Sequence, residues 1–245
     1  MNIYRVYDRK IDDEVIDVIN KLPDLTIVEL KNTKGQNVES FSKITSNVLI
    51  RIVGPYDKDK YNSERYFYRT LYTKEEMVKI IEEMENIEKN IDSSWNDLEK
   101  AMYVYKTLVE SLTYKMEDDK AREYTRNLLV LLNKSGVCAG FSLVFKEIMD
   151  RINVKCLYQS KKGGHAWNLI LINDKYYPVD LTCDILNYLK TGACEFKMFG
   201  NYENFFNEEE HKSDDEIITK ANTFSAFELE DTYSKIMKSY KNNVR

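Results

Sequence analysis

The chain carries 3 prolines and 8 glycines in 245 residues, too few for a low-complexity architecture or for a Pro-rich or Gly-rich linker between parts. Its 4 cysteines, Cys138, Cys156, Cys183 and Cys194, include no C-x-x-C pair, so neither a zinc ribbon nor a dithiol redox motif is suggested and free thiols are the default. Histidine is rarer still. His165 and His211 are the whole complement, and two imidazoles so distant in sequence argue against a metal hydrolase; no cofactor or metal is expected. Positive charge is not in excess either: the formal charge of -5 supplies no field for a phosphate backbone, so nucleic acid is not an expected partner. No apolar run approaches the length of a bilayer crossing, and "MNIYRVYDRKIDDEVIDVI" lacks a basic start followed by an apolar stretch. The expectation is a cytoplasmic protein that engages no membrane.

What is present is a globular composition, 43% hydrophobic and 31% charged, in a chain long enough for one large core or for a large domain with a smaller partner. Val15, Ile16, Val18, Ile19 and Leu22 share one helical stripe, and "LTIVEL", "NVLIRIV" and "YFYRTLY" read as strands. Thr73 and Glu76 form a capping box that opens a helix to about Ile87, with Met77, Ile80, Ile81, Met84 and Ile87 toward the core. Ser94 with Asp97 starts the next helix, whose inner face is Leu98, Met102, Tyr105, Leu108, Val109 and Leu112; Trp95 beside it reads as packing. These signals divide the chain into an α/β N-terminal extension or small domain, 1–92, and a catalytic domain, 93–245, closed by an amphipathic helix in "FELEDTYSKIMKSYKN". The acidic stretch "NYENFFNEEEHKSDDEIITK" lacks the spacing of a calcium-binding hand and reads as a solvated loop, with His211 on the surface.

Chemistry concentrates in "SGVCAGFSLVF". After Cys138, the positions Phe141, Val144, Phe145, Ile148 and Met149 repeat at helical spacing, and Gly136 favours a sharp turn into that helix. Cys138 therefore sits in the first turn, where unpaired N–H groups and the helix dipole favour a thiolate, the nucleophilic form. Downstream, "GGHAWNLILINDKYYPVDLTCD" holds two strands of period two around Asn173 and Asp174, a pair suited to a two-residue hairpin turn. With that loop Ile172 faces Lys175, and counting back sets Trp167 opposite Asp180. His165, on Trp167's face, becomes a diagonal neighbour of Asp180 at a Cβ separation of roughly 7 Å. A three-residue loop would reverse the parity. The pairing gives the imidazole an orienting carboxylate and leaves its other ring nitrogen for a thiol.

These residues resemble the transglutaminase-like superfamily, a papain-related group marked by a G-x-C-x-G helix start, an H-a-W-N strand and a D-x-T strand end. Here the matches are Gly136, Cys138 and Gly140; His165, Ala166, Trp167 and Asn168; and Asp180 with Thr182. The resemblance covers roughly residues 94–185. It implies an α+β fold with a nucleophile helix packed on an antiparallel sheet, Cys138 as nucleophile, His165 as general base and acid, and Asp180 as its orienter. The upstream tryptophan and calcium dependence of animal transglutaminases have no counterpart here.

The expected activity is attack on an amide of a protein or peptide through an acyl-enzyme, with the peptidase, deamidase and acyl-transfer outcomes all open and water favoured as acceptor. The Cys138 N–H is one oxyanion donor, and Gln159, Tyr158 and Trp167 are the candidates for a second donor or for substrate contact. "SKKGG" before His165 reads as a rim that admits substrate. The alternative is a noncatalytic protein-binding module on the same scaffold.

Overall fold

A computed structural model describes residues 2–31, 33, 35–53, 70–115, 122–160, 164–201 and 221–243. The chain divides into two compact units, Met1–Asn86 and Ile87–Arg245.

In the first unit, β1 (Ile3–Tyr7), β2 (Ile27–Lys31), β3 (Leu49–Ile52) and β4 (Tyr72–Thr73) form one sheet in that order, parallel across the first three strands and antiparallel at the last. Helices α1 (Asp13–Ile19), α2 (Val38–Ser42) and most of α3 (Lys74–Glu88) complete it. Alternation sends Val6, Val28, Leu30 and Ile50 into the core. On the opposite face the register lines up Arg5, Glu29 and Arg51. Glu29 accepts from the Tyr7 hydroxyl at 2.6 Å and from Arg51 at 2.9 Å, with Arg5 Nε at 3.2 Å.

The capping box that opens α3 is reciprocal, as expected: the Thr73 N–H donates to Glu76 at 2.8 Å and the Glu76 N–H to the Thr73 hydroxyl at 3.1 Å. β1 was not expected, although "IYRVY" follows the alternation rule. Of the anticipated strand "YFYRTLY" only Tyr72 falls in β4, and residues 66–69 lie outside the described residues.

The second unit runs α4 (Asp97–Ser111), β5 (Thr113–Tyr114), α5 (Arg122–Thr125), α6 (Val130–Asn133), β6 (Ser135–Gly136), α7 (Cys138–Arg151), β7 (Cys156–Ser160), β8 (Ala166–Ile172), β9 (Lys175–Val179), α8 (Leu181–Thr191) and α9 (Ala226–Asn243). Strands β7, β8 and β9 make an antiparallel meander, and β5 pairs with β6 in parallel. The architecture is mixed α+β with several small sheets.

Helix α7 packs on β7 and β8 and buries Phe141, Val144, Phe145, Ile148 and Met149. Helix α4 begins two residues later than expected from Ser94, because Asn96 and Glu99 form the capping box while the N–H and hydroxyl of Ser94 both go to Asp92. Trp95 is buried against Tyr103, with ring centroids 5.4 Å apart. The terminal helix appears as α9. Helix α8 was not expected, since residues 180–184 read as the end of a strand. Beyond Asn201 the acidic stretch, with His211, lies outside the described residues.

Candidate active site

The β8–β9 hairpin turns on Asn173 and Asp174, both at positive φ (49° and 61°), as a turn with two left-handed residues requires. Ile172 pairs with Lys175 and Asn168 with Val179, so the expected register is the one observed. Asp180, one residue beyond β9, is thereby brought to the end of the sheet where β8 begins. His165 Nε2 lies 2.5 Å from Asp180 Oδ2. The other carboxylate oxygen accepts from the Thr182 N–H at 2.8 Å, which makes Asp180 the N-cap of α8 as well. Both roles lock the carboxylate's orientation. The D-x-T pattern thus has a physical reason, and Thr182 serves Asp180 through its backbone.

Cys138 is the first residue of α7 and is half-buried. Its side chain hydrogen-bonds His165, and with Nε2 engaged by Asp180 the remaining ring nitrogen, Nδ1, is the one available for sulfur. Burial alone would pull the His165 imidazole down. The charge and hydrogen bond of Asp180, followed by those of Cys138, outweigh burial and push it up to about 10. At neutral pH the site therefore holds an imidazolium between a carboxylate and a sulfur. Two other thiols are pushed the opposite way from reactivity: burial drives Cys156 strongly up, and Cys194 rises to about 12 from burial and then the charge of Asp184.

The glycines of G-x-C-x-G work by close approach. A Cβ on Gly136 would lie 2.9 Å from the Thr125 carbonyl oxygen and 2.5 Å from Val130 Cγ2; on Gly140 it would lie 2.5 Å and 2.6 Å from the same atoms. That carbonyl also accepts the Val137 N–H at 3.0 Å. Gly136 is not at positive φ, so the sharp-turn expectation gives way to a packing one: the segment from Thr125 to Val130 lies directly on the helix tip that carries Cys138. Asn168, the last residue of H-a-W-N, donates from Nδ2 to the Ser142 carbonyl of α7 at 3.0 Å and to the Leu157 carbonyl of β7 at 3.4 Å. It ties helix to sheet and stays out of the His165 contact.

The candidates for a second oxyanion donor separate. Tyr158 is buried, and its phenol is pushed well up by burial and then by the charge of Cys138, against a downward pull from Arg126. Gln159 follows it on β7, so it points to the other side of the sheet, opposite Trp167 in the ladder. The Trp167 ring stacks on His165, with centroids 6.0 Å apart and planes 26° apart, and is 1% exposed. The rim expected at "SKKGG" includes residues 161–163, which lie outside the described residues. Thr125, Arg126 and Tyr105 were not singled out for chemistry. Tyr105 was legible only as one apolar position in a stripe, and no spacing signal reports where its hydroxyl goes.

Among the described residues, no group of three His, Cys, Asp or Glu is placed to hold a metal ion, and no helix is long and apolar enough to cross a membrane. No family model matches the chain, and no curated protein matches it. A solved structure described as "Crystal structure of a TGase" is similar, distantly: the TM-score is 0.35 and the identity 14%, over 74% of this chain and 59% of that one. The chain thus spans less than two thirds of the length of that protein.

Proposed function

We propose that the protein is a cysteine-nucleophile enzyme acting on amide bonds of a protein or peptide, with Cys138, His165 and Asp180 as its triad. The observation that carries this reading is His165, held 2.5 Å from Asp180 while its side chain also bonds Cys138 at the tip of α7. Cys138 sulfur attacks the amide carbonyl carbon, and the imidazolium of His165 gives its proton to the leaving amine as the C–N bond breaks. Neutral His165 then takes a proton from water as the water oxygen attacks the thioester, and the carboxylate leaves as Cys138 is regenerated. An amine in place of water yields acyl transfer at the same site; water, the more abundant acceptor, makes hydrolysis the leading outcome. The Cys138 N–H, the first of α7, is one of the helix's terminal donors with no intrahelical acceptor and is suited to the oxyanion. Tyr158, paired with Asn168 on the face of the sheet that Asn168 ties to α7, is the preferred second donor.

Alkylation by iodoacetamide, read residue by residue by mass spectrometry, tests the pairing. Cys138 should react at least tenfold faster than Cys156 and Cys194 at pH 7 and lose that advantage in His165→Ala. Equal rates at Cys138 in the two proteins would remove the enzyme reading. An acyl probe applied to a cell lysate with wild type and Cys138→Ala then reports substrates and acceptor.

A further inference from the structure

Asp180 is gripped by its backbone as well as by its carboxylate, and both backbone grips lead to one buried residue. The Asp180 N–H donates to the Met198 carbonyl at 3.0 Å, and the Met198 N–H donates to Asp184 Oδ2 at 3.1 Å. On the other side the Tyr105 hydroxyl lies 2.9 Å from the Asp180 carbonyl oxygen and 2.5 Å from the same Asp184 Oδ2. Asp184 is 1% exposed, Tyr105 and Asp180 are fully buried, and the Lys197 N–H completes the Asp184 carboxyl at 3.2 Å. A second carboxyl, one helical turn from the first, thus closes a ring of hydrogen bonds around the residue that orients His165.

The proton count in this ring is informative. Tyr105 has one hydroxyl hydrogen, while a backbone carbonyl and an ionised carboxylate both only accept. Both acceptors therefore draw on that one hydrogen, and the Tyr105 hydroxyl is shared between the Asp180 carbonyl and Asp184 Oδ2. Burial and then the charge of Asp180 push the Asp184 carboxyl up, against the hydrogen bonds from Tyr105, Met198 and Lys197. The aromatic walls of Phe145, Phe196 and Phe199, with centroids 5.0 to 6.3 Å from the Tyr105 ring, fix the phenol that relays this grip.

We propose that Asp184, acting through Tyr105 and Met198, is a positioning residue that holds Asp180 at its hydrogen-bonding distance from His165. The inference rests on the triad reading. It is separable from it, because its primary readout is the titration of His165 and not turnover.

With 2 histidines in the chain, ring-carbon NMR of histidine-labelled protein gives two titrations, and His211→Ala assigns them. Wild-type His165 should titrate near 10. Tyr105→Phe keeps the ring and changes no charge, and Asp184→Asn removes the carboxyl; each should lower the His165 value by about one unit or more. An unchanged His165 value in folded Tyr105→Phe overturns the positioning role while leaving the triad standing. An ordinary value near 6.5 in wild type overturns both, and unchanged Cys138 alkylation in His165→Ala then marks the triad itself as the failure.

Discussion

Glu29, within the sheet of the first unit, and Asp180, at the end of a sheet in the second, are buried carboxylates, and they are met by different kinds of partner. Glu29 faces the Tyr7 phenol and the guanidiniums of Arg51 and Arg5. Burial would push it up, but those three partners together hold it below the usual carboxylate range. Its cationic partners cannot lose their charge in water, so the cluster is fixed at any ordinary pH and serves as a strut between strands. Asp180 faces an imidazole, whose charge can change, and the imidazole touches a sulfur. The difference lies in the titratability of the cation and in that cation's next neighbour, not in burial or short distance, and it is this difference that the proposed triad would use.

The sharpest way to break this contrast is to delete each device and read acylation. Cys138→Ala and His165→Ala should each lose at least about 10³-fold, and Asp180→Asn about 10²-fold or more, in single-turnover acylation of a peptide ester. Glu29→Gln should stay within about twofold of wild type while losing about 1–3 kcal/mol in urea denaturation. Loss of acylation in Glu29→Gln would end the distinction.

pH separates the two as well. His165 is raised in the folded state, so its contribution is fully present below the unfolded value near 6.5 and is lost as pH rises through about 10. Wild type should thus lose a few kcal/mol between about pH 7 and pH 10, a loss absent from His165→Gln. Glu29 is lowered, so its contribution is present above the ordinary carboxylate value and is lost as pH falls into the acid range. Equal alkaline profiles for wild type and His165→Gln would contradict the raised imidazole.

Smaller effects sharpen the same line. Gly140→Ala should cost about 1–3 kcal/mol and slow Cys138 alkylation, because the new methyl meets the Thr125 carbonyl at 2.5 Å and the helix tip must shift. Thr73→Ala in the first unit removes one half of a capping box and should cost about 1 kcal/mol with alkylation unchanged. Thermal melts and alkylation rates check both.

The hairpin was legible because its signal is arithmetic: Asn173 and Asp174 tolerate positive φ, and once the loop is two residues long every later pairing follows. The helix carrying Cys138 was legible from its apolar spacing. Helix α8 was not, because β-branched Thr182 next to Cys183 continues the look of a strand. The available signals were Asp180 as a cap, Leu181 and Ile185 one turn apart, and Gly192 at φ 70° as the stop. The parallel pairing of β5 with β6 spans two residues, too short for any periodicity to register. The ring through Tyr105, Met198 and Asp184 joins residues far apart in sequence, and only the folded chain shows it.

The unfilled cap at Val137 carries a cost and a consequence. A serine or aspartate there would strengthen the helix by about 1 kcal/mol, and in doing so would aim an oxygen at the turn of N–H groups beside the sulfur. Selection for heat resistance alone would favour that replacement; under the triad proposed for Cys138 it would also set a competing acceptor beside the reacting sulfur, so durability and turnover would pull this one position in opposite directions.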